Sequence, residues 1–183
     1  MKTNTSILSG ILMLFLFSSL FLTSCDKEKE SEFDLPFTLS SVTVPAMGAP
    51  YNVNKVFFSE ALTTNIETKL NEFGASLNDI ESAKLKDLRV EIVAPTGRTF
   101  DALVFLESFV KADGLTDEKI AFSEGSLDGK TNITFSSQFA NFAEHVKKDA
   151  FSLIIQGFID ESIPTATTLK VDLIITIKVK TKK

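Results

Sequence analysis

The chain has 183 residues, a formal net charge of −5, 17 phenylalanines, one tyrosine, no tryptophan, one cysteine and one histidine. An acidic balance excludes binding by phosphate neutralisation, which needs a basic face, so no nucleic-acid partner is expected. A lone cysteine excludes an internal disulfide, and one thiol with one imidazole cannot complete the closed ligand set of a structural zinc site.

The first segment has three parts in a fixed order. Lys2 gives a positive start, Ile7 to Leu22 an apolar run, and Thr23-Ser24 small residues before Cys25. The apolar run contains Ser18 and Ser19 and is shorter than the about 20 residues a membrane-spanning helix wants. Ending as it does on Leu22-Thr23-Ser24-Cys25, this stretch resembles the signal peptide and lipobox of bacterial lipoproteins. The resemblance implies that residues 1–24 are a removable signal, that Cys25 is the lipidation site, and that the mature chain is held on a membrane by that lipid.

Asp26-Lys27-Glu28-Lys29-Glu30-Ser31-Glu32 follows with no apolar residue, which predicts a solvated tether over residues 25–34. The run also resembles the acid-rich export signals of surface lipoproteins in Bacteroidota-type bacteria, with Lys27 and Lys29 interleaved among the acids. The implied location is the outer membrane, lipid-anchored, either surface-exposed or periplasm-facing.

Residues 35–183 read as a single globular domain. Leu35 to Val44 alternates like a strand with a change of face near Ser40-Ser41, and Tyr51 to Phe58 makes a second, with Val56 and Phe58 on one side. Ser59 is a suitable N-cap, and Leu62, Ile66, Leu70 and Phe73 recur at helical spacing, predicting a helix that ends at Gly74. Lys84 to Val93 returns to period two, and Pro95-Thr96-Gly97 signals a turn into a hairpin partner. Leu103 to Ala112 is apolar on nearly both faces, as a central strand should be.

Glu118 to Phe122 and Asn132 to Phe135 read as short strands joined by a Gly-containing loop. Phe139, Phe142 and Val146 suggest a helix over 137–148 carrying His145 as a surface residue. Phe151 to Ile159 is a strand. The clearest alternation is the last, Leu169 to Lys180, roughly 36 Å long, whose lysines would guard a sheet edge. Strands without βαβ order make the expected class mainly β: an antiparallel two-sheet β-sandwich with two short helices, with an α+β sheet as the alternative. The stretch Ile80 to Phe122 is also similar to a pattern in small bacterial lipoproteins that carries no activity with it.

Chemistry is sparse. With His145 the only imidazole and no Gly-x-Ser-x-Gly turn, no nucleophile–base pair stands out, and no catalytic residue, cofactor or metal is expected. Calcium has weak candidates in Asp113, Asp117 and Glu118, which bracket a Gly-containing loop without EF-hand spacing. The expected function is a non-enzymatic, membrane-anchored interaction or accessory module, with the membrane and another surface protein as its candidate partners. The alternative is a carrier for an apolar ligand such as a lipid, motivated by the phenylalanines and resting on a phenylalanine-lined cavity of several hundred Å3, which a solid core would exclude.

Overall fold

The computed structural model describes residues 28–49, 52–148 and 150–181; Cys25, the leader and Tyr51 lie outside them. The body Glu30–Thr181 is a β-sandwich of a four-stranded and a five-stranded sheet. In chain order the elements are β1 (Lys29–Val44), β2 (Val53–Thr63), α1 (Ile66–Glu72), a 3-10 turn (Leu77–Asp79), β3 (Ile80–Ala94), β4 (Leu103–Lys111), β5 (Glu118–Phe122), β6 (Asn132–Thr134), β7 (Ser136–Ser137), α2 (Ala143–Val146), β8 (Ala150–Ile159) and β9 (Thr167–Thr181). One sheet is ordered β1-β9-β3-β6 and the other β2-β8-β4-β5-β7. The mainly-β, antiparallel two-sheet expectation with two short helices is what the chain adopts.

The last strand is central, not an edge. β9 pairs antiparallel with β3, from Ile80↔Val179 to Ala94↔Thr168, and β1 covers its other side. The β1 partners fall in number as β1 rises: Glu30 meets Lys178, Asp34 meets Thr176 and Thr38 meets Asp172, so this pair is antiparallel too. Leu169, Val171, Leu173, Ile175, Ile177 and Val179 are all buried, each burial stabilising by about 2 kcal/mol.

Several expectations are corrected by pairing. Residues 29–34, read as tether, begin β1, because β9 offers unpaired backbone groups on that side and Phe33 can stack on Phe73 with ring centroids 5.2 Å apart. The change of face at Ser40-Ser41 is present: both are exposed, and burial passes from Leu35 to Val42 and Val44. β2 does not stop for a helix at Ser59, since Ser59 to Thr63 pair with Ile154 to Ala150 of β8. The helix starts only at Ile66, after Asn65 in a left-handed conformation that Asn tolerates better than most residues. A register shift between Val56 and Phe58 puts Val56 outside and Phe58 inside, not on one side together.

The expected hairpin between β3 and β4 is a crossover, because the two strands belong to different sheets, and so do β5 and β6. The second helix shrinks to Ala143–Val146, with Phe142 and Val146 buried but Phe139 79% exposed. His145 is buried, not on the surface: its Nε2 lies 3.0 Å from the Thr116 carbonyl oxygen, which can only accept, so Nε2 carries the proton.

The outer face of the β1-β9-β3 sheet is stitched by charge. Lys178 lies 3.0 Å from Glu30 and 3.1 Å from Glu81, and Asp34 accepts from Lys86 at 2.5 Å and Thr176 at 2.9 Å. The Lys86 ammonium, then the Thr176 hydroxyl, holds the Asp34 carboxyl below its ordinary range. Exposed pairs of this kind add little stability singly, but they let a highly charged strand lie on its neighbours without like-charge repulsion.

Two core positions test the packing. The Ser108 hydroxyl is fully buried without a hydrogen-bond partner, so Ser108→Ala should be neutral or stabilise by up to about 1 kcal/mol in urea unfolding. A Cβ on Gly157 would collide with the Phe105 carbonyl oxygen and lie 2.7 Å from Leu106 Cδ2, so Gly157→Ala should destabilise by about 3 kcal/mol in the same measurement. Because the Asp34 pKa is lowered on folding, its contribution is present above the ordinary carboxylate range near pH ~4 and is lost as pH falls through the lowered value. Asp34→Asn should therefore flatten the acid limb of a stability-versus-pH curve and leave pH 7 to 8 behaviour nearly parallel to wild type.

Candidate functional site

Two of the crossovers that join the sheets, residues 95–102 between β3 and β4 and residues 160–166 between β8 and β9, lie at one end of the sandwich. Neither fills the gap between the sheets, and a cavity of about 350 Å3 opens there. Val44, Val90 and Leu169 line it from one sheet and Phe57, Leu106 and Ile155 from the other, giving it an apolar floor. Its mouth carries Arg98, Thr99, Asp101, Glu161 and Ser162. The expected phenylalanine lining is mostly absent. Only Phe57 and Phe100 contribute, while Phe37 packs edge-on against Phe151 and Phe105 stacks on Phe158, each pair with centroids 5.9 Å apart, away from the cavity.

The rim is fastened by backbone. Met47 and Ile163 exchange reciprocal N–H···O bonds of 2.8 and 2.9 Å, which tie the β8–β9 crossover to the loop after β1. Phe100 N–H donates to the Lys130 carbonyl at 2.9 Å, and Gly129 N–H donates to Asp101 Oδ1. The Gly129 amide, then the Thr99 hydroxyl, holds the Asp101 carboxyl below its ordinary range, so it stays ionised as a structural acceptor. Gly129 has a φ of +70°, a conformation that costs glycine little and an L side chain more. Across the mouth, Arg98 Nη2 donates to Thr165 Oγ1 at 2.6 Å, and this bond joins the two crossovers directly. Such a site can enclose an apolar group and present one guanidinium and a few hydroxyl and carboxylate groups to whatever follows it.

The residues singled out from sequence lie elsewhere. Asp113, Asp117 and Glu118 are exposed around the β4–β5 loop, at the opposite end of the sandwich, and Asp117 faces Lys111 at 4.0 Å. Among the described residues no three acidic, histidine or cysteine side chains come together as a metal would need. His145 is likewise at that far end, bonded to the β4–β5 loop. Cys25 lies outside the described residues. The pocket's strand residues were legible as strand but not as a site: Pro95-Thr96-Gly97 marked a turn, but period and propensity do not say that the turn changes sheets. Among the described residues no helix is long and apolar enough to cross a membrane.

No protein-family model matches the chain, and no curated protein matches it. Among solved structures it is loosely similar to a chain of Desmodium yellow mottle tymovirus, with 12% identity, 85% of this chain and 91% of that chain covered, and a TM-score of 0.25. A chain of Mud crab tombus-like virus gives 11% identity, 93% and 99% coverage, and a TM-score of 0.29. Similarities this slight carry no argument about family or function.

If the Arg98–Thr165 bond holds the two crossovers together, Arg98→Ala should raise amide hydrogen exchange in residues 95–102 and 160–166 several-fold while leaving β8 and β9 protected. Equal exchange in both proteins would show the backbone bridges to be sufficient.

Proposed function

We propose that the chain is a non-enzymatic binding module, anchored at the outer membrane through acylated Cys25, whose end cavity takes a small, largely apolar ligand. The observation that carries the ligand reading is the cavity itself: about 350 Å3, within the range of small-molecule sites, apolar below and polar at the mouth. A solid sandwich would have argued against a carrier. The non-enzymatic reading is supported by the mouth chemistry, where Asp101 is occupied by two donors and the one histidine sits at the far end. The anchor rests on the lipobox resemblance of Leu22-Thr23-Ser24-Cys25.

A second reading, docking of a protein partner, is favoured by one contrast between the sheets. The outer face of the β1-β9-β3 sheet is charged, whereas that of the other sheet carries apolar side chains on either side of a single Glu107–Lys119 ion pair and Gln156. Phe105 pairs with Phe158 there, Phe109 with Ile154, and Val56 is 54% exposed beside Gln156. Partly exposed aromatics on a sheet face are the material of interface anchors.

The absence of tryptophan supplies a reporter. Phe100→Trp places the only indole in the cavity wall, and titration with anilinonaphthalene sulfonate, followed by displacement with medium-chain alkyl carboxylates, should give saturable energy transfer. Ile92→Trp, which fills the cavity from β3, should abolish it with the fold retained. Failure of any probe to saturate sinks the ligand reading. Loss of a co-purifying protein on Phe158→Ser, with dye binding intact, would favour the second. Cys25→Ser should move the protein out of the membrane fraction; persistence there removes the anchor.

A further inference from the structure

Strand register gives the sandwich two distinct ends. Val44, Thr167 and Leu103 lie at the cavity end. The opposite end collects the start of β1, the start of β3 and the end of β9, shown by Lys178 between Glu30 and Glu81 and by Ile80 opposite Val179. The loop from β7 to α2 is bound to this same end. Asn141 Oδ1 accepts from the Ala83 amide at 3.0 Å and the Ala143 amide at 3.2 Å, and Asn141 Nδ2 donates to the Glu81 carbonyl at 3.2 Å.

In that loop Phe139 is 79% exposed, and its φ of 57° is in the left-handed region, where a bulky L residue is strained. Both flanks are pinned: Gln138 N–H donates to the Ile120 carbonyl at 2.9 Å and Phe139 N–H to Ser137 Oγ at 3.0 Å. A strained backbone held rigidly so that an aromatic ring points at solvent gains nothing within the domain. Among the described residues the other large exposed apolar side chains, Val56, Val93 and Val104, sit toward the cavity end.

We infer that Phe139 is a membrane-interface contact, docking the anchor end of the sandwich on the bilayer surface so that the cavity faces away from it. This rests on the acylated-Cys25 reading, which also names the occupant. The few residues from Cys25 to Glu30 can reach at most about 18 Å. Two strand spacings of about 4.8 Å separate β1 from β3, to which Asn141 is bonded. One sheet spacing of about 10 Å separates that sheet from the one whose β5 and β7 hold Gln138 and Phe139. The headgroup layer is about 6 Å deep, so a domain tethered this closely brings Phe139 to it. Phenylalanine carries no group that needs a hydrogen bond, which suits the boundary between headgroups and acyl chains.

The test uses the full, lipid-modified chain carrying Phe139→Trp, the only indole in the protein, in vesicles of phosphatidylethanolamine and phosphatidylglycerol with lipids brominated near the glycerol end of the acyl chain. The expected result is flotation with the vesicles, a blue-shifted emission, quenching by bromine of at least twofold, and protection from aqueous iodide. Flotation with a solvent-exposed, unquenched indole overturns the docking and leaves the anchor standing. Failure to float overturns the anchor and the docking with it. Shielding in native membranes but not in pure lipid assigns Phe139 to a protein partner and overturns the bilayer contact.

Discussion

The fold depends on one strand being covered on both sides. β9 presents six aliphatic side chains to the interior and an alternating Lys, Asp, Ile and Thr row to the outside, and its backbone must find partners along two edges. β3 supplies one. The other is supplied by a segment whose composition argues for solvation, and the strand wins because the charges can be paired where they land. Glu30, Asp34 and Thr38 face Lys178, Thr176 and Asp172 in turn. Charge composition decides whether a segment can collapse alone; it does not decide whether a waiting sheet edge will take it up.

The cavity follows from the same layering. Face-to-face sheets stand about 10 Å apart, and the gap is filled only where side chains from both reach it. Along the middle of the sandwich Leu88, Leu173, Val110 and Leu153 do so and are fully buried. At the β3–β4 and β8–β9 end, the chain is occupied in crossing from one sheet to the other, and its polar loop residues turn to the rim instead of the gap. Phe100 and Ile163 are the exceptions, each buried from its crossover as part of the wall.

Sequence periodicity located most strands because alternate burial is a local property. β9, β8, β4 and the core of β3 could be read from Leu, Ile, Val and Phe at every second position. What it could not supply was anything set by a distant partner. The helical spacing of Leu62, Ile66, Leu70 and Phe73 is real, and Ile66 and Leu70 do lie on a helix, but β8 claims Leu62 for a strand. Phe139 fits helical spacing with Phe142 and Val146, yet the loop is fixed by Asn141 bonding to β3 and leaves that ring outside. His145 looked like a surface residue beside lysines, and only the β4–β5 carbonyl of Thr116, 29 residues away, explains its burial. The cavity was invisible for the same reason: a turn signal at Pro95-Gly97 is identical whether the chain returns to its own sheet or crosses to the other.

The two ends of the sandwich therefore differ in how they are built, and this bears on what each can do. At the cavity end the rim is closed by a few bonds, the Met47–Ile163 bridge, the Asp101–Gly129 bond and the Arg98–Thr165 bond, none of which belongs to a continuous ladder. Openings confined to such loops cost far less than global unfolding, so the cavity can admit a ligand without disturbing β8 or β9. A ligand that binds only the closed form then stabilises it by mass action and ties the two sheets together at the place where the chain itself does not fill the gap. At the other end the loops are anchored to the ladders: Asn141 to the β3 backbone, Gln138 to β5. A group carried there, as Phe139 is, keeps a fixed position on the domain, which suits a contact with a surface, whereas the looser rim suits exchange of a small molecule.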